Sequence, residues 1–413
     1  MSTVLKGMRV VEGSAFVAVP LAGMTLAQMG ADVIRFDRIG GGLDAKRWPV
    51  APSGQSLFWA GMNKGKRSIA VDMKSPEGQE LITRIITAPG DDAGLFLTNL
   101  RVRGWMDYET LSRHREDLIM VTLMGDRRGR PQVDYTVNPA LGIPDITGPE
   151  GHEEPVANAL PAWDLVAGNM VVSSLLAAER HRLRTGEGQD VELSLKDVAA
   201  ATLGHLGMIG DAVVNQTQRG KSGNALYGAY GQDFATADGK RVMVIGLTSR
   251  QWHGLVKVTS TTEKMAALAS ATGADLSEEG VRWKLRHQIT EVLQPWFATR
   301  TSAEVATLLD AAGVTWSQFR TVQEAVTQDP DIGPDNPMFE TLHQPGLGTF
   351  PVPGAPVTFS AHERTRPAKA PLLGAQTEEI LGDIVGMDDT EIARLFDAGI
   401  VQSPNFAVSR KVA

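Results

Sequence analysis

A chain of 413 residues exceeds the usual size of one compact core, so two domains, or one domain carrying another, are expected. Its 42% hydrophobic and 21% charged residues are ordinary for a soluble globular protein, and no apolar run approaches the roughly 18 residues that span a bilayer. The absence of cysteine excludes disulfides, thiolate-held metals and a thiol nucleophile, and a net charge of -8 argues against a general nucleic-acid surface. The opening MSTVLKGMRVVEG lacks the apolar core of a signal peptide, so a cytoplasmic protein is expected.

The first third of the chain alternates strand and helix patterns. MRVVEG (8–13) reads as a buried strand, Pro20 to Met29 as a helix and DVIRFD (32–37) as the next strand, which makes a βαβ unit. SIAVDM (68–73) repeats the theme, followed by Ser75-Pro76-Glu77, whose N-cap and N1 chemistry opens a helix to about Thr87. AGLFLTN and LIMVTLMG read as further strands. A long helix is expected from about Asp164 to Arg184, closed by Thr185-Gly186-Glu187-Gly188 and feeding a strand at 190–195. Such alternation implies an α/β fold with a doubly wound, mostly parallel, Rossmann-like sheet.

From about residue 225 the pattern changes. YGQDFATADGKRVMVIG reads as a hairpin turning at Asp238-Gly239, then helices follow to near Gly313, one of them opened by a Thr301/Glu304 capping box. The Pro- and Gly-rich stretch 330–375 is expected to run back across the surface before two short closing helices. The expected division is a large domain begun by 1–205, a linker at 206–225, a smaller α+β domain at 226–325, and a return of 326–413 to the large domain.

One charge stands apart. Between Glu154 and Glu179 the only ionisable side chain is Asp164, beside Trp163 at the start of the long helix. Read by itself, it is a helix N-cap or first-turn acid. The eight histidines form no pair at metal-ligand spacing on a helix, so no metal is expected.

The ordered strings LKGMRVVEG, GADVIRFDRIGGG, NKGKRSIAVDMKSPEGQEL, LLAAERHRLRTGEGQDVELSLKD, GAPVTFS and PLLGAQTEEIL resemble the family III coenzyme A transferases, the CaiB/BaiF type, over nearly the whole chain. WAGMNKGKRSIA, VDYTVNPALG, LPAWDLVAG and DNPMF resemble a narrower branch in which CoA moves between the two carboxyls of one unsaturated C4 diacid. The resemblance implies that Asp164 is the nucleophile, attacking a thioester to give an acyl anhydride and then an aspartyl-CoA thioester, in a closed pocket walled by residues such as Trp163, Leu160 and Leu165. A carboxylate with a pKa near 4 is already ionised at neutral pH and needs no partner base.

Carried over by position, the CoA contacts implied are Phe16, Val17 and Ala18 after the first strand, Arg38 after the second, Val71, Asp72, Met73 and Lys74 in VDMK, and Asn99, Leu100 and Arg103 after TNL. Leu100 stands where the family has an aromatic. No tightly bound cofactor is expected, CoA being part of the substrate, with mesaconyl-CoA or a similar acyl-CoA as partner. A cation is needed for the idle carboxylate; Arg47 is the candidate, with Lys46 second. The resemblance also implies an interlocked homodimer whose large domain is built from both chain ends. Where many members carry a glycine-rich lid, only Arg219-Gly220-Lys221-Ser222-Gly223 is found.

EGSAFVAVPLAG has no G-x-G-x-x-G, which weakens a nicotinamide dehydrogenase despite Asp37 at a ribose-binding position. A 2-methylacyl-CoA racemase needs a proton relay, but its positions read Val133-Asp134 and Thr248-Ser249 here. An intermolecular transferase and a non-catalytic CoA-binding protein stay open.

Overall fold

The computed structural model describes residues 3–404 and divides into two compact units. The first comprises Met1–Leu141, Ala159–Asn215 and Asp329–Ala413, so it is built from both ends of the chain; the second comprises Gly142–Asn158 and Gln216–Gln328. The second unit thus includes a short excursion at 142–158 that no break in hydrophobic period marks in the sequence. The helix Met208–Val214, inside the stretch expected as linker, sits with the first unit.

In the first unit, β1 (Arg9–Gly13), β2 (Asp32–Arg38), β3 (Arg67–Val71), β4 (Leu95–Thr98), β5 (Ile119–Met124) and β6 (Gln189–Ser194) form one parallel sheet. The second unit contributes β7 (Tyr230–Ala235), β8 (Arg241–Gly246) and β9 (Thr315–Gln318) as a separate antiparallel sheet. A hairpin, β10 (Phe339–Gln344) with β11 (Gly348–Pro353), occupies part of the Pro- and Gly-rich stretch expected to run back across the surface, and β12 (Val401–Gln402) returns antiparallel to β3. The strand order of the large sheet is β12-β3-β2-β1-β4-β5-β6. Successive strands step one way from β1 to β3, then the other way from β4, so the order reverses between β1 and β4. In such sheets ligands bind at the carboxyl ends of the strands beside that reversal.

The inner strands β4 and β5 are nearly continuous apolar runs because both faces are covered, whereas β6 at the sheet edge alternates polar and apolar residues. Ile34, Phe36, Ile69, Val71 and Phe96 are buried together with Ile82, Ile85 and Ile86 of the helix Pro76–Thr87, which Ser75 caps by accepting from Gly78 N–H. On the other side the first helix, Ala18–Gln28, packs along the long helix Ala162–Thr185. Gly168 permits that approach, since a Cβ there would lie 2.7 Å from the Ala18 carbonyl oxygen. Among the described residues no single helix is long and apolar enough to cross a membrane.

Candidate active site

At the carboxyl ends of β1, β4 and β5 lies a cavity of about 780 Å³, within the size range of small-molecule sites. Phe16, Val17, Ala18, Asn99, Arg47 and Asp164 all line it, although they are spread over some 150 positions of sequence. The strand reversal is what gathers them: the turn after β1 and the turn after β4 open side by side. Asn99 ties these turns together, accepting from Ala15 N–H at 2.9 Å and donating to the Ala15 carbonyl at 2.8 Å.

Asp164 is the third residue of its helix, and the N-cap position is Pro161, which offers no side-chain cap. The cap comes instead from Asp134, whose carboxylate accepts from Trp163 N–H at 2.7 Å and from Asp164 N–H at 3.3 Å. The helix Asp134–Ala140 presents a second polar group one turn on, where Asn138 Oδ1 accepts from the Trp163 indole at 3.0 Å. Trp163 is therefore buried away from the cavity, and neither it nor Leu160 and Leu165 forms the expected wall; Leu160 is exposed. A Trp needs a partner for its N–H when buried, and Asn138 supplies it inside the fold.

Burial, and secondarily the nearby Asp134 charge, raise the Asp164 pKa from its ordinary value to about 6, with Arg47 pulling it down. The carboxylate is thus more basic than the value near 4 expected from sequence, yet still ionised at neutral pH. A partly desolvated anion is a better nucleophile than a hydrated one, and its carboxyl oxygen is available to the cavity.

Arg47 reaches the cavity from the loop after a short 3-10 turn, Leu43–Lys46, with its guanidinium 5.4 Å from the Phe16 ring centre and 5.2 Å from that of Phe58. Lys46 does not line the cavity. Neither do Arg38, Val71, Asp72, Met73, Lys74, Leu100 and Arg103. Arg38 donates to the Gly41 carbonyl at 2.7 Å, Val71 is fully buried, and Met73 and Leu100 pack against the core. Asp72 holds the turn by accepting from Lys74 N–H at 3.1 Å, leaving the Lys74 and Arg103 side chains exposed. Arg38 and Val71 are the last residues of β2 and β3, and Asp72, Met73, Lys74, Leu100 and Arg103 follow the carboxyl ends of β3 and β4, along the same edge of the sheet as the cavity.

Sequence reasoning passed over Asp134 as part of a site, and also Asn138, Phe58, Trp48, Arg101 and Arg130. Trp48, Phe58, Arg101 and Arg130 line the cavity with Asp134. The spacing of Asp134 and Asn138, four apart on one helix face, was the available signal. Asp37, at the position a ribose-binding acid would take, is buried and bound by Arg35 Nε at 2.9 Å. In the second unit the Gly220–Gly223 stretch is tethered: Gly223 N–H donates to the Gly148 carbonyl at 3.0 Å, Lys221 to the Glu154 carbonyl, and Arg219 stacks 3.5 Å from the Tyr227 ring. Thr248, at a racemase position, is a helix N-cap accepting from Gln251 N–H. Among the described residues no group of three or more His, Cys, Asp or Glu could hold a metal ion.

Residues 5–377 match the model of the CoA-transferase family III. The chain belongs to this family. It is 56% identical to 2-methylfumaryl-CoA isomerase of Chloroflexus aurantiacus, covering 98% of this chain and 100% of that protein. It is 27% identical to succinyl-CoA:mesaconate CoA-transferase of Haloarcula hispanica, over 92% of this chain and 96% of the relative. The fold agrees with that of a CaiB/BaiF family protein from Brucella suis at a TM-score of 0.75, with 24% identity, over 93% of this chain and 100% of the other. Membership makes this chain a CoA transferase by family, and a nicotinamide site has no support in its β1 turn.

Proposed function

We propose that this enzyme is a 2-methylfumaryl-CoA isomerase, moving CoA between the C1 and C4 carboxyls of mesaconate. The observation that carries the reading is the ionisable Asp164 in a cavity lined by three arginines, of which Arg47 is braced by two aromatic rings and acts on the Asp164 charge. The 56% identity to a protein of that name, over essentially both full lengths, supports the same substrate.

The steps follow from that arrangement. An Asp164 oxygen attacks the C1 thioester carbonyl, the C–S bond breaks, and a mixed anhydride forms with release of CoA thiolate. The thiolate attacks the aspartyl carbonyl, giving an aspartyl-CoA thioester and free mesaconate. The C4 carboxylate of the same mesaconate then attacks this thioester, expelling the thiolate again. Thiolate attack on the C4 carbonyl completes the product and regenerates Asp164. No proton is consumed overall, so no acid or base partner is required. Arg47 would hold whichever carboxylate is idle, keeping the diacid in place while the aspartyl thioester forms and so making the second transfer effectively unimolecular. CoA would extend from the cavity along the strand ends, where Arg38, Lys74 and Arg103 present cations to its phosphates. The working form would be a cytoplasmic homodimer.

The test is to incubate unlabelled mesaconyl-C1-CoA with excess isotopically labelled free mesaconate and follow product mass. Unlabelled mesaconyl-C4-CoA is expected to dominate. Extensive labelling, or efficient transfer to succinate or acetate, would instead identify an intermolecular transferase, as the succinyl-CoA:mesaconate CoA-transferase of Haloarcula hispanica, 27% identical, is named.

A further inference from the structure

Beneath the cavity floor lies a cluster of charges that the reaction itself does not use. Arg35, 1% exposed, donates to Asp37, to Asn63 Oδ1 at 3.1 Å, to the Ser14 carbonyl at 3.1 Å and to Asp44 Oδ2 at 3.0 Å. Lys66, also buried, joins the cluster through Glu12 at 2.8 Å. Buried charges survive only when paired, so these groups hold one another in a single arrangement.

Asp44 is the member that connects this cluster to the cavity. Its Oδ1 accepts from Phe16 N–H at 2.9 Å while its own backbone carbonyl accepts from Arg47 N–H at 3.2 Å. Phe16 has φ +67°, a left-handed conformation that a bulky residue adopts only when its surroundings enforce it. The Arg35 contact to Ser14 and the Asp44 contact to Phe16 are that enforcement. The result is that the Phe16 ring turns into the cavity, where the Arg47 guanidinium rests against it and against Phe58. The Arg47 carbonyl is in turn fixed by Ser56 Oγ at 2.5 Å.

We propose that Asp44 is a positioning residue for the carboxylate-binding guanidinium: through one side-chain oxygen and one backbone oxygen it sets Phe16 and Arg47 relative to each other, and thereby determines whether the diacid is retained between the two transfers. This rests on the reading above that Arg47 holds the idle carboxylate. Asp44 touches neither substrate nor Asp164; it acts through Phe16 and Arg47.

The readout is the labelled share of mesaconyl-C4-CoA formed in the presence of labelled free mesaconate. That share is a partition between re-attack and escape of the bound acid, so it does not depend on how much enzyme is folded. Asp44→Ala should raise it about tenfold over wild type, as loss of a charge-assisted hold on a bound acid does. Asp44→Asn, which still accepts from Phe16, should fall between. Should Asp44→Ala give no active protein, Phe58→Leu decides, since it removes one of the two rings bracing Arg47 without unpairing a buried charge, and it too should raise the share. Arg47→Ala should raise it at least as far. If Arg47→Ala raises the labelled share and the Asp44 and Phe58 variants stay at the wild-type value, the positioning role is overturned and the assignment of Arg47 stands. If Arg47→Ala leaves the share unchanged, both fall; if wild type already incorporates label freely, the isomerase reading falls with them.

Discussion

Asp164 occupies a position where ordinary helix chemistry has been displaced. An acid in the first turn usually serves the exposed N–H groups, but here Asp134 takes that duty and leaves the Asp164 carboxylate to the cavity. Asp164→Ala should therefore abolish CoA transfer while CoA affinity changes little, because the change removes a nucleophile and no large packing group; turnover within about tenfold of wild type would refute the nucleophile assignment. The pH dependence follows from the raised pKa of about 6. Only the ionised carboxylate attacks, so kcat/KM should rise with pH through about 6 and then level off. Asp134→Asn retains an oxygen acceptor for the Trp163 N–H and removes one negative charge facing Asp164. Its kcat/KM profile should therefore shift to lower pH, towards the ordinary carboxylate range, and an unmoved inflection would show that the Asp134 charge has no influence.

The placement of that carboxylate depends on how two helices meet. The long helix Ala162–Thr185 carries Asp164, the first helix follows Phe16, and Gly168 lies against Ala18 and Leu21 where the two pack. Gly168→Leu would drive a side chain into the Ala18 carbonyl and Leu21. It should cost about 1–3 kcal/mol in urea unfolding, as overpacking does, with kcat reduced by displacement of Asp164 from the cavity. Wild-type stability would show that the helices separate without penalty. The helix itself was legible because its C-terminal turn, with Gly186 at φ +76°, has a distinct sequence signature. Its start was legible to within two residues, about Asp164 for Ala162, but its cap was not, because the capping group comes from Asp134, 30 positions before Asp164. The β10–β11 hairpin escaped for a related reason: Pro351 and Pro353 read as breakers of structure, yet they sit in a two-stranded ribbon where unpaired edges tolerate them.

The whole molecule is expected to be a homodimer. This follows from the family resemblance, and the expected outcome is a light-scattering mass of two chains, with no exchange of subunits when tagged and untagged protein are mixed; an active monomer would overturn it. The sequence by itself determined the period of the six parallel strands and of the long helix, the α/β class, the family and the unusual isolation of Asp164, because periodicity, capping and motif order are local properties of a chain. Only the tertiary structure decided what surrounds Asp164. The β1/β4 reversal brings the turn after β1 beside the turn after β4. Burial then raises the carboxylate's pKa, Asp134 replaces the missing cap, and an ion cluster drawn from Glu12, Arg35, Asp37, Asp44 and Lys66 bends Phe16 into the cavity. Desolvation and long-range hydrogen bonds depend on which distant segments meet, and no local pattern in the chain encodes that meeting.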